Sequence, residues 1–198
     1  MSAFSRGKFI VIYAANNLGK SKQLDMLEDT WKSLNRPYTR IKYPRYETPT
    51  GKIINRELRG PIEERILNDT ELQTVFAQDR REYEACLIEM LKDGEVFAED
   101  YFGTGIAWGI TNGVLKPYLM EINSDLLVPD ISILLDGQRF SAGIEGGHRH
   151  EAAGAEVWER NREAHRELAG ELKWEIVDAC GTPEQVHSRV MKVIEARW

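Results

Sequence analysis

The sequence predicts an α/β fold in which a five-stranded parallel sheet is flanked by helices. Three observations predict it. Short β-branched runs recur along the chain, amphipathic stretches separate them, and a phosphate-loop pattern sits at the first strand-to-helix junction. A length of 198 residues suits one domain. With 42% apolar and 29% charged residues, the chain has globular composition rather than that of a disordered polypeptide.

The elements follow in order. KFIVIY (Lys8–Tyr13) is a short apolar run of the kind buried in parallel sheets. Leu24, Leu27, Trp31 and Leu34 then recur at steps of three and four, which predicts an amphipathic helix ending near Asn35–Pro37. Tyr38–Tyr43 alternates and stops at Pro44, as a second strand would. Leu72, Phe76, Tyr83, Leu87 and Met90 mark one face of a long helix over about Thr70–Lys92, closed by Gly94. EVFAED (Glu95–Asp100) reads as a third strand, with Gly103 and Gly105 opening a turn after it. ISILLD (Ile131–Asp136) reads as a fourth. Residues 137–150 hold glycines and basic groups and are expected to form a loop. Glu151–Leu172 is a charged helix, and Trp174–Val177 a fifth strand. Thr182, Pro183 and Gln185 occupy the N-cap, N1 and N3 positions of a last helix, with Val186, Val190, Val193 and Ile194 on its core side.

Charge and cysteine content exclude several classes. The 26 basic and 32 acidic residues give a net charge of −6. That balance argues against nucleic acid or an anionic membrane as a partner, since both call for a basic surplus. Cys86 and Cys180 are too few for a disulfide framework or a metal cluster. Met1–Lys8 is polar, Phe9–Ala15 is too short for a signal sequence, and no apolar run approaches the ~20 residues of a membrane span. A cytoplasmic location is the expectation.

Ligands of open parallel sheets bind beyond the carboxyl ends of the strands. AANNLGKS (Ala14–Ser21) follows the first strand there. It fits the G-x-x-x-x-G-K-[ST] phosphate loop, with Ala14 at the first glycine position. In such a loop backbone N–H groups and the positive end of a helix cradle phosphate oxygens. Lys20 would reach the β/γ-phosphates and Ser21 would ligate Mg²⁺. The Ala14 methyl would crowd the turn if φ were positive there.

Several segments, in order, resemble the thymidylate kinase family of P-loop nucleoside-monophosphate kinases. GKFIVIYAANNLGKSKQL is similar to its opening. YPRYETPTGKII (Tyr43–Ile54) resembles its Phe-Pro-x-Arg segment and the helix behind it, and FAQDR (Phe76–Arg80) its Phe-x-x-x-Arg helix motif. EDYFGTGIAWG (Glu99–Gly109) resembles its Asp-Arg-Tyr stretch, and PDISILLD (Pro129–Asp136) its Pro-Asp strand. RHE (Arg149–Glu151) stands at its lid Arg-x-Glu, and VDACGTPEQVH (Val177–His187) at its adenine loop and last helix.

The resemblance implies a three-layer P-loop NTPase fold over residues 1–198, with a lid at about 137–150. It also implies a homodimer and transfer of a phosphoryl group from ATP to dTMP with Mg²⁺. On this reading Ala15, Asn16, Asn17, Leu18, Gly19, Lys20, Ser21, Lys22 and Cys180 hold ATP. Ser21 and Glu99 hold the metal, while Lys20, Glu99 and Arg149 serve catalysis, with Arg139 joining Arg149 in closing over the transferring group from the lid. Phe76 stacks on the pyrimidine and Arg80 binds its edge, at i and i+4 of one helix face. Arg45, Asp100, Tyr101, Gly105 and Trp108 complete the acceptor site, Arg45 supported by Arg40 or Lys42 and Trp108 crowding the sugar.

Four positions depart from the family pattern: Tyr13 replaces an acidic residue, Asn16 replaces the carboxylate that the family uses near the sugar 3′-hydroxyl with an uncharged amide that can still hydrogen-bond, Asp100 replaces the arginine of Asp-Arg-Tyr, and Tyr46 stands where the Phe-Pro-x-Arg arginine is expected. They leave open another pyrimidine deoxynucleotide as acceptor, Asp100 as a second metal ligand, or a nucleotide-binding protein without turnover. Simpler readings also stand beside these roles. Phe76 and Trp108 suit a core, Arg80 suits an ion pair with Glu84 at i+4, and Glu99–Asp100 suits a solvated strand end. His148, His150 and His165 lack the usual zinc ligand set.

Overall fold

The computed structural model describes residues 6–140, 148–150 and 154–198. Five parallel strands form one sheet: β1 (Phe9–Tyr13), β2 (Tyr38–Lys42), β3 (Glu95–Glu99), β4 (Ile131–Asp136) and β5 (Glu175–Asp178), in the order β2-β3-β1-β4-β5. Seven α-helices accompany them among the described residues: α1 (Lys20–Ser33), α2 (Pro49–Arg59), α3 (Asp69–Asp93), α4 (Phe102–Thr111), α5 (Lys116–Glu121), α6 (Ala155–Glu171) and α7 (Pro183–Ala196).

The central strand accounts for the layers. All five β1 residues are buried. Phe9, Val11 and Tyr13 pack into one core, beneath α3, α4 and α6, and Ile10 and Ile12 into the other, beneath α1 and α7. Burying each such side chain is worth roughly 1.5–3 kcal/mol, which is why the run carries no polar position.

Local chemistry fixes the helix starts. Asn68 caps α3 in a capping box with Glu71. Thr182 does the same for α7 with Gln185, as its spacing predicts. Thr48 caps α2, accepting from Gly51 N–H at 2.9 Å, with Pro49 in the first turn.

The differences from expectation have physical causes. Leu34 is the C-cap of α1 and is 56% exposed, because the helix turns its last apolar position off the core. Gly103 and Gly105 lie inside α4 instead of opening a turn. A Cβ on Gly103 would meet the Trp174 ring at 2.2 Å, so glycine here serves helix–core packing. The glycines of α4 hide that helix from a periodicity reading, and α5 is too short to show a period. The charged helix is described from Ala155; residues 151–153, with Glu151 of the Arg-x-Glu match, lie outside the described residues, as does 141–147 of the expected lid.

Candidate active site

The strand register assembles the site. Lys42 on β2 lies directly across from Glu99 on β3, and Ile12 on β1 is the other neighbour of Glu99. The carboxyl ends of these strands therefore open onto one cavity of about 360 Å³. A second cavity of about 600 Å³ lies beside Phe102, Met120 and Trp174. It is largely apolar and has no phosphate loop, so the chemistry belongs to the first.

The phosphate loop forms one wall. Asn17 and Gly19 take left-handed backbone conformations, φ 63° and 86°, which turn the loop into α1. Ala14 is not among the residues with positive φ, so its methyl leaves the turn undisturbed. Residues 16–22 line the cavity, whereas Ala15 is packed into the core behind it. Trp158 of α6 donates its indole N–H to the Asn16 carbonyl at 2.8 Å, and Phe140 N–H bonds the Asn17 carbonyl at 2.9 Å. These bonds hold the loop from outside.

Lys20 is buried. Its ammonium donates to the Ala14 carbonyl at 3.2 Å and stands 3.5 Å from Asp100. The Ser21 hydroxyl donates to Glu99 at 2.9 Å. Glu99 also receives Lys42 at 2.8 Å and Arg40 at 3.3 Å. Burial works against the Glu99 charge, yet Lys42, Lys20 and the Ser21 hydroxyl outweigh it and hold the carboxyl below its ordinary pKa. Asp100 shows the opposite balance. Burial, reinforced by Glu99, raises its pKa despite Lys20. Asp100 has φ 63°, a conformation aspartate tolerates better than most residues, and its carboxylate accepts from Thr104 at 2.7 Å. Glu99 is thus buried and Asp100 half-buried beside it, so the two do not form a solvated strand end.

Helix α3 supplies the far wall. Phe76, Asp79 and Arg80 all line the cavity and are buried. Arg80 does not pair with Glu84; it donates to Asn123 at 3.1 Å, and Glu84 instead accepts the Leu127 N–H. Burial pushes the Arg80 pKa down. Gly105 makes room for this side chain, since a Cβ there would lie 2.4 Å from the guanidinium. Asp79 accepts from Arg45 N–H at 3.1 Å and from Thr48 at 3.3 Å, fixing the β2–α2 connection against α3. Tyr101 and Trp108 complete this wall.

Several expected site residues stand outside this lining. The Arg45 guanidinium sits 3.6 Å above the Tyr83 ring and donates to Glu47 at 2.7 Å, and it does not line the cavity. Arg40 and Lys42 serve Glu99 rather than supporting Arg45. Arg149 donates to Asp69 at 3.0 Å and lies 4.0 Å from Glu57, away from the cavity. Cys180 is exposed beyond β5, its N–H bonded to Asp178. Arg139 has its guanidinium 5.9 Å from the Trp158 ring and is not in the lining either.

Tyr46, Arg59, His148 and His150 do line the cavity, with Arg59 stacked 4.6 Å over Tyr46. Sequence reasoning gave them no role. Tyr46 belongs to the YPRY segment and His150 to RHE, but neither segment shows which of its side chains points inward, and Arg59 lies in neither.

The oxygen donors suit a magnesium ion, which takes one or two carboxylates plus phosphate oxygens and water. Ser21 and Glu99 offer a hydroxyl and a charged carboxylate side by side. Among the described residues no group of three or more His, Cys, Asp and Glu side chains forms an all-protein metal cage. Nor is any described helix long and apolar enough to cross a membrane.

No family model matches the chain. A protein of Invertebrate iridescent virus 6 that carries the thymidylate kinase name is 30% identical over 157 residues, 79% of this chain and 70% of the viral protein. Thymidylate kinase of Schizosaccharomyces pombe is 28% identical, covering 98% of this chain and 94% of its own. The solved structure of thymidylate kinase from Candida albicans superposes with a TM-score of 0.80 at 24% identity, covering 96% of this chain and 92% of that one. The last match establishes the likeness of fold.

Proposed function

This chain belongs to the thymidylate kinase family, and from that premise we infer that it transfers the γ-phosphoryl group of ATP to dTMP, yielding ADP and dTDP. One observation carries the reading: Lys20, Ser21 and Glu99 face Phe76 and Arg80 across a single cavity at the strand ends. Phosphoryl transfer needs placement and charge neutralisation more than covalent help.

In the reaction an oxygen of the acceptor phosphate attacks the γ-phosphorus, the bond from that phosphorus to the bridging oxygen breaks, and ADP leaves. The loop amides of residues 16–21 hold the phosphate chain. Lys20 exchanges its contacts with Ala14 and Asp100 for the β/γ-phosphate oxygens. Phe76 gives the pyrimidine a flat surface and Arg80 bonds its edge. Lys42 and Arg59 are the cations nearest to replace Arg45 as the acceptor-phosphate grip, since both line the cavity. A Mg²⁺ ion at Ser21 and Glu99 would neutralise phosphate charge. The single domain spanning residues 1–198 with a lid, the homodimer and the cytoplasmic location are part of the same reading. Family resemblance supports the first two, and the two unbridged thiols Cys86 and Cys180 support the last.

Asp100 favours a second reading, in which another pyrimidine deoxynucleotide is the better acceptor, because a carboxylate replaces a cation beside the substrate. A coupled ADP-release assay over dTMP, dUMP, dCMP, dAMP and dGMP decides. The expected result is acceptor-dependent ADP, largest with dTMP. A larger rate with dUMP or dCMP selects the second reading, and nucleotide binding with no acceptor-dependent ADP rejects the kinase.

A further inference from the structure

Arg80 keeps its place on the acceptor wall through an indirect hold. Its guanidinium passes α4 at Gly105, where a Cβ would stand 2.4 Å from Nη2, and Nη1 donates to Oδ1 of Asn123 at 3.1 Å. The side chain is 3% exposed, and its Nε atom has no hydrogen-bond partner. Tyr13, Tyr43 and Tyr101 stand close enough to act on its charge, yet their hydroxyls are unpartnered too. The neighbouring Asp79 carboxylate is taken up by Arg45 N–H and Thr48. Among the described residues, the bond to Asn123 is therefore the one hydrogen bond that fixes the guanidinium, and no carboxylate forms an ion pair with it.

Asn123 is itself held. It follows α5, is buried, and donates Nδ2 to the Leu119 carbonyl at 2.8 Å. Only the amide nitrogen can donate, so this bond turns Oδ1 toward Arg80. Helix α5 is in turn seated on α4, because a Cβ on Gly109 would lie 2.6 Å from the methyl groups of the fully buried Leu119. Asn123 does not line the acceptor cavity; it borders the second one. Any effect it has on the substrate passes through Arg80.

We propose that Asn123 is a positioning residue that aims Arg80 at the acceptor base and so sets which pyrimidine the cavity prefers. This rests on the assignment of the cavity to a pyrimidine acceptor nucleotide. The amide fixes the direction of the guanidinium without neutralising it. A buried cation with no counter-ion gains most from a ligand atom that accepts a hydrogen bond. Thymine and uracil present such an atom, the C4 carbonyl oxygen. Cytosine presents an amino group there, which opposes one donor with another. A guanidinium left to swing would lose that distinction while Phe76 still offered its ring to either base.

The test compares kcat/KM for dTMP, dUMP and dCMP in the wild type, Asn123→Leu and Asn123→Asp, together with Kd for dTMP and dCMP by calorimetry without ATP. The wild type is expected to prefer dTMP to dCMP. Asn123→Leu removes the acceptor at similar volume. It is expected to lower that preference about tenfold, the lower end for a hydrogen bond to a charged group, with the dTMP-to-dUMP ratio and the ATP KM unchanged. Asn123→Asp keeps an oxygen in place while competing for the charge, and retains part of the preference. Should Asn123→Leu not fold, Asn123→Ala gives the same comparison. A merely structural role would slow all three acceptors together and leave their ratios intact. The proposal is overturned if the wild type does not prefer dTMP to dCMP, or if the Leu or Ala variant keeps the full preference. Loss of Kd discrimination in the variant with no turnover in any of the proteins would sink the kinase assignment and uphold this role. Turnover with unaltered ratios does the reverse.

Discussion

The two ends of the cavity are built on different plans. The donor end comes from one contiguous stretch, residues 16–22, between a buried strand and the first turn of α1. Its functional groups are backbone amides, one ammonium and one hydroxyl. The acceptor end is assembled from β2, α2, α3, α4 and the 148–150 strap, and its groups are side chains held by other side chains. A loop that works through its backbone tolerates substitution as long as its dihedrals survive, which is how Ala14 stands in for glycine. An end built from side chains can be rewired, as Asp100 and Tyr46 indicate.

The largest expected effect breaks the donor end. Lys20→Ala should lower kcat/KM by about 10²–10³-fold, the range for removing one preorganised charge donor at a transition state. Steady-state kinetics with dTMP and ATP measure it, with circular dichroism to verify folding. Turnover within threefold of wild type would mean that the loop amides alone suffice.

The same contrast explains what the sequence could disclose. Strand β1 and the Gly-Lys-Ser junction were legible because burial on two faces and a phosphate cradle impose residue types on consecutive positions. The Phe76–Arg80 pair was legible for a similar reason, since one helix face carries both. Arg45 was not, because its direction is set by the Tyr83 ring and Glu47, which lie close only in the folded chain. Arg149 likewise follows Asp69, 80 positions away. Whether an arginine near a motif faces the ligand or props up the wall is a packing question that spacing does not contain.

A second expected effect concerns the acceptor wall alone. His150 is buried, and burial first, then His148, Arg149 and Arg65, lower its pKa from 6.5 to about 3. Between those values the unfolded chain binds a proton that the folded chain refuses. The stabilising contribution is therefore complete above pH 6.5 and is lost as pH falls through that window. At pH 5 the loss is about 2 kcal/mol, from 1.36 kcal/mol per pH unit. For a chain of this size that corresponds to about 4–8 °C in Tm. His150→Phe should remove this part of the acid sensitivity while His165, whose pKa burial also lowers, to about 4, remains in both proteins. Melting curves at pH 7 and pH 5 give the comparison, and equal acid shifts in the two proteins would refute it.

The smallest effect is the sharpest test of rewiring. Asp100→Asn changes charge and little else: asparagine tolerates the left-handed backbone as aspartate does, and its side-chain oxygen can still accept from Thr104. If Asp100 merely sits where a cation would help, removing its charge should strengthen acceptor binding. At about 1 kcal/mol, an ordinary solvent-screened value for two charges near 4 Å, the dTMP KM should fall about fivefold with kcat little changed. If Asp100 instead carries a ligand role at the phosphate chain beside Glu99, the same substitution should lower kcat and raise the Mg²⁺ concentration needed for half-maximal rate. The two outcomes differ in sign, so one titration of rate against dTMP and Mg²⁺ tells a tolerated repulsion from a recruited ligand.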